Sequence, residues 1–339
     1  MNTPTATRIR TPEEIALRAG VDFPRLLPPG RQVFAERALR LRQLAAGHAM
    51  RDYLLLMALV CEAQHQRLPQ HPAVPLPSAA QMDAAAQSGQ PLLDARHWPR
   101  HPAWRTELRA LLAQVLQKLP EGSPARAGVQ AVQGMADDAL EQQAGRLLAG
   151  ITLGLDMAAA PLIAAGLQLH WVHLVGATSA AQKNPSPFGM AQDATRCPCC
   201  GSLPTASITR IGGGQDGYRY LHCTLCSAQW HMVRVKCTHC QGTAGIHYQS
   251  LQALADTESA ARREAVQAET CDSCGHYLKI VHMDRDQHVE PVADDLATLT
   301  LDLLVSDAGF QRHGTNLLLL FGDSEAPAGD GAPPERGPA

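Results

Sequence analysis

Four pairs of cysteines in the C-terminal half of the chain are the residues best suited to chemistry. Two residues separate the cysteines of each pair, so both thiolates of a tight turn face one ion. Two such turns supply the four sulfurs of a closed tetrahedral site, which suits zinc or a single iron ion. Eight ligands predict two sites. The pairs are Cys197 and Cys200, Cys223 and Cys226, Cys237 and Cys240, and Cys271 and Cys274.

The order of the pairs along the chain indicates which of them share an ion. If consecutive pairs combine, the first site uses the pairs at 197–200 and 223–226, and the second uses those at 237–240 and 271–274. Each site is then a self-contained ribbon, which we favour, while interleaved pairing stays open. Gly201 directly follows the second cysteine of its pair, as a glycine also does at position 275, where a knuckle turn often needs positive φ.

Two further cysteines lie outside the pairs, Cys61 and Cys199. Cys61 follows Met50, Leu54 and Met57 at helical spacing, so we expect it to act as a small buried apolar residue. Cys199 lies inside the first turn, where we favour an ordinary turn residue. A substitute ligand or a thiol that reacts with sulfur species is the alternative for Cys199.

The composition favours a helical globular protein in a reducing compartment. Of 339 residues, 45% are apolar but only 4% are aromatic, so alanine and leucine must fill most of the core. The formal net charge of -3 provides no global positive field for nucleic acid or an anionic membrane. The first 20 residues lack the apolar centre of a signal peptide, so we expect a cytoplasmic protein whose paired cysteines bind metal.

One stretch, residues 157–182, carries no acidic residue, lysine or arginine. A membrane-spanning helix needs about 20 predominantly apolar residues. This stretch includes Pro161, Gln168, His170 and His173, so we predict a buried helix without membrane insertion. Both histidines are expected to be packed or hydrogen-bonded, because no thiol or carboxylate lies near them in the sequence.

Two kinds of structure must position the cysteine pairs. Helical periodicity gives helices at about 32–68, 108–119, 124–149 and 157–178, with an extended proline-rich linker at 69–77. After 184–189, short β-like segments alternate with the cysteines. A last helix is predicted to start near Asp294, as its N-cap, with its apolar face formed by Leu296, Leu299 and Leu303.

The predicted fold class is therefore α+β. An all-helical N-terminal domain precedes two small rubredoxin-like or zinc-ribbon β modules, and a C-terminal helix follows. The predicted limits are 1–183 for the helical domain, 184–227 for the first module, 228–321 for the second module with its helix, and 322–339 for a disordered tail.

Several stretches around the cysteines resemble the family of the formate dehydrogenase accessory protein FdhE. They follow one another in the family's order from about 190 to 303, and the four cysteine pairs together with the run that starts at Trp230 are specific. These stretches are Cys197-Pro-Cys-Cys-Gly201, Tyr218-Arg-Tyr-Leu-His-Cys-Thr-Leu-Cys226, Trp230-His-Met-Val-Arg-Val-Lys-Cys-Thr-His-Cys240, Cys271-Asp-Ser-Cys-Gly275, Tyr277-Leu-Lys-Ile280 and Val292-Ala-Asp-Asp-Leu-Ala297.

The resemblance implies a helical domain, two rubredoxin-like modules and two bound ions, with iron favoured and zinc as the alternative. The eight paired cysteines match the family's metal positions one for one. It also implies an accessory protein rather than an enzyme, which is needed for active respiratory formate dehydrogenase and binds its catalytic subunit in the cytoplasm before export. The residues that would contact this partner, if they are exposed, are Trp230, His231, Arg234 and Lys236.

Two other functions compete with this interpretation. A redox or sulfur-handling protein could cycle one electron at iron held by four thiolates, or carry a persulfide on Cys199. A zinc ribbon that binds nucleic acid is disfavoured by the nearly balanced charge of the module. The sequence contains no phosphate-binding loop and no G-x-S-x-G nucleophile motif. It leaves open whether copies of the chain form a homo-oligomer.

Overall fold

The computed structural model describes residues 23–181, 187–189, 192–212, 215, 217–251 and 265–320. The predicted tail at 322–339 and the first 22 residues lie outside this part of the chain. Within it, a helical N-terminal half is followed by one mixed sheet and two short C-terminal helices. The predicted α+β class is confirmed, because helices and strands occupy separate parts of the chain.

The N-terminal half is built from seven helices within the described residues. The predicted helix at 32–68 is two helices, because Gly47 adopts a φ of 70° and reverses the chain between them. The predicted helix at 124–149 is likewise interrupted, near Gly134. A helix starting at Ala79 was missed, although Ser78 and Gln81 form a capping box at its start. The bounds are α1 Val33–Ala45, α2 Arg51–Arg67, α3 Ala79–Ser88, α4 Ala103–Lys118, α5 Pro124–Gln133, α6 Asp137–Ala149 and α7 Ala160–Ala181.

Helix α7 is the central helix of this half. Its length and apolar composition would suffice to cross a membrane, but 83% of its most apolar window is buried inside the structure, as expected of a core helix. Gly166 lets α7 approach α4 closely, since a Cβ at this position would lie 2.8 Å from the Cβ of Leu108. The indole of Trp171 is fully buried, and its Nε1 donates to the carbonyl oxygen of Leu93 at 3.0 Å.

The described strands form one sheet rather than two separate ones. Strands β2, β3 and β4 form an antiparallel unit, and so do β5, β6 and β7. Parallel pairing of β2 with β7, in which Ser207 lies opposite Ile280, joins the two units. The bounds are β1 Leu26–Leu27, β2 Pro204–Thr209, β3 Arg219–Cys223, β4 Gln229–Met232, β5 Ile246–Gln249, β6 Val266–Cys271, β7 His276–His282 and β8 Gln311–Arg312.

The outer strands bind distant parts of the chain to this sheet. The strand order is β1-β4-β3-β2-β7-β6-β5, and β8 pairs with β7 in parallel. The short strand β1 precedes all seven helices, yet it pairs with β4, where Leu26 lies opposite Trp230. The segment before the helical half is therefore part of the sheet.

The C-terminal segment forms two helices, α8 Pro291–Ala297 and α9 Leu299–Asp307. The predicted N-cap at Asp294 is wrong, because the carboxylate of Glu290 accepts the backbone N–H groups of Val292 and Ala293 and caps α8 instead. The predicted apolar face is also wrong in part, since Leu303 is exposed. The buried residues of this segment include Leu296, Leu301 and Val305.

Buried ion pairs connect α8 to α1. The Arg37 guanidinium lies 3.0 Å from Glu290, and Arg40 pairs with Asp294 through two hydrogen bonds. All four residues are buried. Removal of one partner from such a pair costs about 3–5 kcal/mol, so these contacts are costly to break and hold the first helix against the C-terminal segment.

Candidate metal centres

The first cluster combines a turn in the loop before β2 with the turn between the paired strands β3 and β4. Cys197 and Cys200 lie in the turn before β2, while Cys223 ends β3 and Cys226 lies just before β4. The ligand atoms of all four cysteines lie within 4.8 Å of one another, so the structure brings consecutive pairs together. We refer to Cys197, Cys200, Cys223 and Cys226 as the first cluster.

Its sulfur geometry fits a tetrahedral ion. The Cys200 sulfur lies 3.3 Å from that of Cys223 and 3.6 Å from that of Cys226, and the Cys197 sulfur lies 3.6 Å from that of Cys226. Metal–sulfur bonds of about 2.3 Å place tetrahedral sulfurs roughly 3.8 Å apart. These four thiols therefore surround a space that matches zinc or iron and leave no coordination position for a substrate.

The second cluster likewise combines a turn in a loop with the turn between two paired strands. Cys237 and Cys240 lie in the loop after β4, Cys271 ends β6, and Cys274 lies just before β7. The Cys237 and Cys274 sulfurs are 3.7 Å apart, and the Cys240 and Cys271 sulfurs are 3.8 Å apart. We refer to these four residues as the second cluster, which could also hold a metal ion.

All four turns end in the same backbone conformation. The residue after the second cysteine has positive φ in every case: 73° at Gly201, 57° at Ser227, 63° at Gln241 and 68° at Gly275. Backbone N–H groups in two of the turns donate to cysteine sulfurs, such as that of Cys226 to Cys223 at 3.4 Å. The glycines could be identified from the sequence, whereas Ser227 and Gln241 show that the turn imposes this conformation on other residues too.

The helical half encloses the first cluster. The backbone N–H groups of Leu93 and Ala95 donate to the carbonyl oxygens of Cys199 and Cys200, each at 2.9 Å. Helix α7 contacts the other turn, because the Gln168 amide donates to the carbonyl oxygen of Thr224 at 2.8 Å. All four cysteines of the first cluster are buried, with at most 1% of their surface exposed.

The second cluster lies nearer to solvent. Cys237 and Cys271 are buried, but Cys274 is half-buried and Cys240 is exposed. Two imidazole rings lie beside it, since the His239 and His276 rings stack with centroids 3.6 Å apart and planes 6° apart. In the sequence, the signal that could identify these histidines is their position in the Cys-Thr-His-Cys and Cys-Gly-His runs.

The protonation of the thiols will govern metal binding. Burial raises the pKa of Cys226 well above its ordinary value and raises the pKa of Cys237 to about 12. A hydrogen bond with the backbone of Gly242 lowers the pKa of the exposed Cys240. An ion that binds must displace the thiol protons, so metal affinity at both clusters rises with pH.

The two remaining cysteines are both buried. Cys61 has no exposed surface in α2, and burial raises its pKa to about 12, as expected for an apolar core residue. Cys199 is also fully buried, and burial raises the pKa of its thiol well above the ordinary value. External sulfur species have no access to this thiol in the described conformation.

The four predicted partner-contact residues differ in exposure. Trp230 is buried, and its Nε1 donates to the carbonyl oxygen of Ala194 at 2.9 Å, so it belongs to the core and offers no surface to a partner. His231, Arg234 and Lys236 are half-buried. Contact between these three residues and a partner stays a prediction.

A cleft of about 750 Å³ lies where the helical half, the first cluster and the C-terminal segment meet. Residues 147–152 line it from the helical half, residues 200–203 from the first cluster, and residues 314–317 from the C-terminal segment. Ile151, which lines the cleft, is 47% exposed. The cleft is therefore a surface to which all three parts of the chain contribute.

Comparison with known families covers nearly all of the described chain. Residues 23–187 match the family described as FdhE, N-terminal; residues 196–234 match FdhE, central domain; and residues 235–319 match FdhE, C-terminal domain. The chain belongs to the FdhE family. The family predicted from the cysteine motifs is thus confirmed. The predicted domain limits at 183 and 227 stay predictions.

Individual relatives agree with this assignment. The chain is 37% identical to a protein FdhE homolog of Cronobacter sakazakii over 302 residues, which are 89% of this chain and 93% of the relative. It is 38% identical, with the same coverage, to protein FdhE of Salmonella dublin. The crystal structure of the FdhE protein from Pseudomonas aeruginosa matches with a TM-score of 0.73 and 34% identity, over 90% of this chain and 100% of that one.

Proposed function

We propose that this chain is an accessory protein for the maturation of formate dehydrogenase, and that it binds the catalytic subunit in the cytoplasm before export. The observation that carries the proposal is the match of all three FdhE domains in order along the chain. The closed clusters agree with a role in binding rather than catalysis, because each has its four ligands within the protein.

In this proposal the eight paired cysteines hold two ions, iron by resemblance to the family and zinc as the alternative. The ions stabilise the two halves of the sheet and thereby shape the surface that faces the partner. Two places are candidates for this surface. One is the cleft between the three parts of the chain, and the other is the segment of Arg234 and Lys236 before the second cluster.

A capture experiment with matched pairs of variants tests the proposal. The first pair compares Ile151→Asp, which places a charge in the cleft, with Leu153→Asp, which lies in the same loop, is 84% exposed and does not line the cleft. The second pair compares Arg234→Glu/Lys236→Glu with Arg31→Glu/Arg51→Glu, which reverses two exposed charges of the helical half.

We expect the wild type to retain the catalytic subunit of formate dehydrogenase from a native cytoplasmic extract. At least one test variant should lose this subunit while its matched control keeps it, and the metal content should stay unchanged in both. If the wild type does not retain the subunit, or if cells without the gene form fully active formate dehydrogenase, the proposal is wrong.

The redox and sulfur-handling alternative gains no support at Cys199, which is buried and has a raised thiol pKa. Substitution of this residue by serine should leave the capture of the catalytic subunit unchanged. A loss of function in Cys199→Ser with both ions still bound would instead favour sulfur chemistry at this thiol.

A further inference from the structure

A third group of metal-ligand side chains lies beside the second cluster. The ligand atoms of His239, Cys274 and His276 all lie within 4.8 Å of one another. His239 belongs to the loop turn between Cys237 and Cys240 and is exposed, whereas His276 starts β7 and is half-buried. These three residues come from both turns of the second cluster, and they share one ligand, Cys274, with it.

Hydrogen bonding prepares one of the rings to bind a metal. The Nδ1 of His276 lies 2.8 Å from the carbonyl oxygen of Cys274, and a carbonyl oxygen can only accept, so Nδ1 carries the proton. The lone pair of the neutral ring is therefore on Nε2. A carbonyl that holds the second nitrogen of an imidazole is the usual outer-shell partner of a metal-binding histidine.

Neighbouring rings hold the pair in place. The parallel stack of His239 on His276 keeps both imidazoles at the edge of the cluster, and the rings rotate out of this stack when both bind one ion. The ring of His313 lies against His239 at 5.2 Å and 74°, and its Nε2 is buried without a hydrogen-bond partner in the described part of the chain. Two imidazoles and one thiolate suit zinc and other divalent transition metals, at about 2.0–2.3 Å from the ion.

We propose that His239, His276 and Cys274 form an open metal-exchange site through which divalent ions reach and leave the second cluster. Three protein ligands leave the fourth position of a tetrahedral ion free for water, in contrast to the closed four-sulfur clusters. Such an open position is what a ligand-exchange step requires. The proposal depends on metal binding at the second cluster and is independent of formate dehydrogenase.

The exchange proceeds by ligand substitution without any change of oxidation state. An arriving ion binds the two imidazoles and the Cys274 thiolate. The sulfurs of Cys237, Cys240 and Cys271 then replace the water and the imidazoles one at a time. Each step forms one metal–sulfur bond, breaks one bond to water or nitrogen, and releases the proton of the incoming thiol to solvent. Removal of the ion follows the reverse order.

The first cluster lacks such a route in the described structure. All four of its cysteines are buried, and the described residues contain no group of histidine ligands that shares one of its sulfurs. We therefore expect two exchange rates in one chain, a fast rate at the second cluster and a slow rate at the first.

The test measures transfer of zinc from the fully loaded, full-length protein to a coloured chelator. We expect two kinetic phases in the wild type. The variant His239→Gln/His276→Gln should still bind two ions, but its fast phase should slow towards the rate of the first cluster. The control is His247→Gln, an exposed histidine that contacts Asp272 in the turn between Cys271 and Cys274.

The direction of the change separates exchange from packing. If the two histidines only support the fold of the cluster, their loss will accelerate zinc release or reduce the bound zinc below two ions, and the proposal is then wrong. An unchanged fast phase overturns it as well. Slower release, with both ions retained and with no effect of His247→Gln, supports it.

A second measurement detects the exchange site directly. In Cys240→Ala the second cluster keeps three sulfurs, so a cobalt(II) ion should recruit an imidazole as its fourth ligand. We expect its visible spectrum to indicate mixed nitrogen and sulfur ligands, and further substitution of both histidines by glutamine should abolish this signature. Identical spectra with and without the histidines would contradict the proposal.

Discussion

The two four-cysteine clusters are alike in their local geometry and different in their surroundings. Each joins one loop turn to one hairpin turn, and every turn ends with positive φ. The first cluster is enclosed by α7 and by the segment around Leu93, both of which donate hydrogen bonds to carbonyl oxygens of its turns. The second lies beside β6 and β7, with Cys240 exposed and two imidazoles at its edge.

This difference shows that the spacing of the cysteines is enough to form a metal-binding turn. The surroundings of the turn decide what a bound ion contributes to the structure. An ion in the first cluster holds the helical half and the sheet together, because the same turns contact both. An ion in the second cluster joins the loop after β4 to the turn between β6 and β7. The two ions should therefore differ in their contribution to stability and in how readily they exchange.

The largest expected effect follows loss of the first ion. In Cys223→Ala/Cys226→Ala we expect one ion to be lost, and we expect the whole chain no longer to unfold in a single cooperative transition. The reason is that metal binding to structural four-ligand sites contributes about 10–16 kcal/mol in small peptides. In Cys237→Ala/Cys240→Ala we expect the loss of the other ion while the helical half stays folded.

Elemental analysis and thermal unfolding followed by circular dichroism distinguish the two variants. The comparison between the clusters fails if both variants unfold to the same extent, or if the second pair is the more damaging one. If only Cys237→Ala/Cys240→Ala keeps part of the helical circular dichroism signal, the difference between the two clusters is confirmed more strongly.

A smaller effect is expected at the connection between the two halves of the sheet. Arg219 on β3 is fully buried and donates to Glu269 on β6 at 2.9 Å and to the carbonyl oxygen of Lys236, just before the second cluster, at 3.1 Å. In Arg219→Met the Glu269 carboxylate is left buried without its cation. We expect the free energy of unfolding to fall by about 3–5 kcal/mol.

Urea denaturation of the metal-loaded protein measures this loss, and the double variant Arg219→Met/Glu269→Leu serves as its control. The double variant should recover part of the stability, because it no longer buries an unpaired charge. A loss below about 1 kcal/mol in the single variant would show that the pair does not couple the two halves.

The smallest expected effect concerns acid and the helical half. His170 on α7 is buried, and burial lowers its pKa to about 3. The unfolded chain binds a proton at this residue below about pH 6.5 and the folded chain does not. Between about pH 6.5 and about pH 5.5 this residue should therefore lower the free energy of unfolding by at most about 1.4 kcal/mol.

The measurement compares the pH dependence of unfolding in the wild type, in His170→Gln and in His247→Gln, an exposed control, between about pH 7 and about pH 5.5. His170→Gln should show a shallower slope, and the control should match the wild type. Equal slopes in all three proteins would mean that His170 is not held neutral by burial.

The cysteine spacing was sufficient to predict two clusters and favoured their consecutive pairing, because a metal-binding turn is a local structure. The family was predicted from the residues around the cysteines. Helical periodicity likewise predicted most of the N-terminal helices and the burial of Cys61. It missed the break at Gly47 and the helix at Ala79–Ser88, since a single glycine and a short alanine-rich segment change the apolar period little.

The tertiary structure alone decided the features that depend on residues far apart in the chain. Parallel pairing of β2 with β7 joins the two predicted modules in one sheet. Strand β1, which precedes the helical half in the sequence, pairs with β4 of the same sheet. Pairing with β1 and packing against the core buried Trp230. The stack of His239 on His276 joins two turns that are separated by two strands. Long-range pairing and burial have no local period, so only the folded chain shows them.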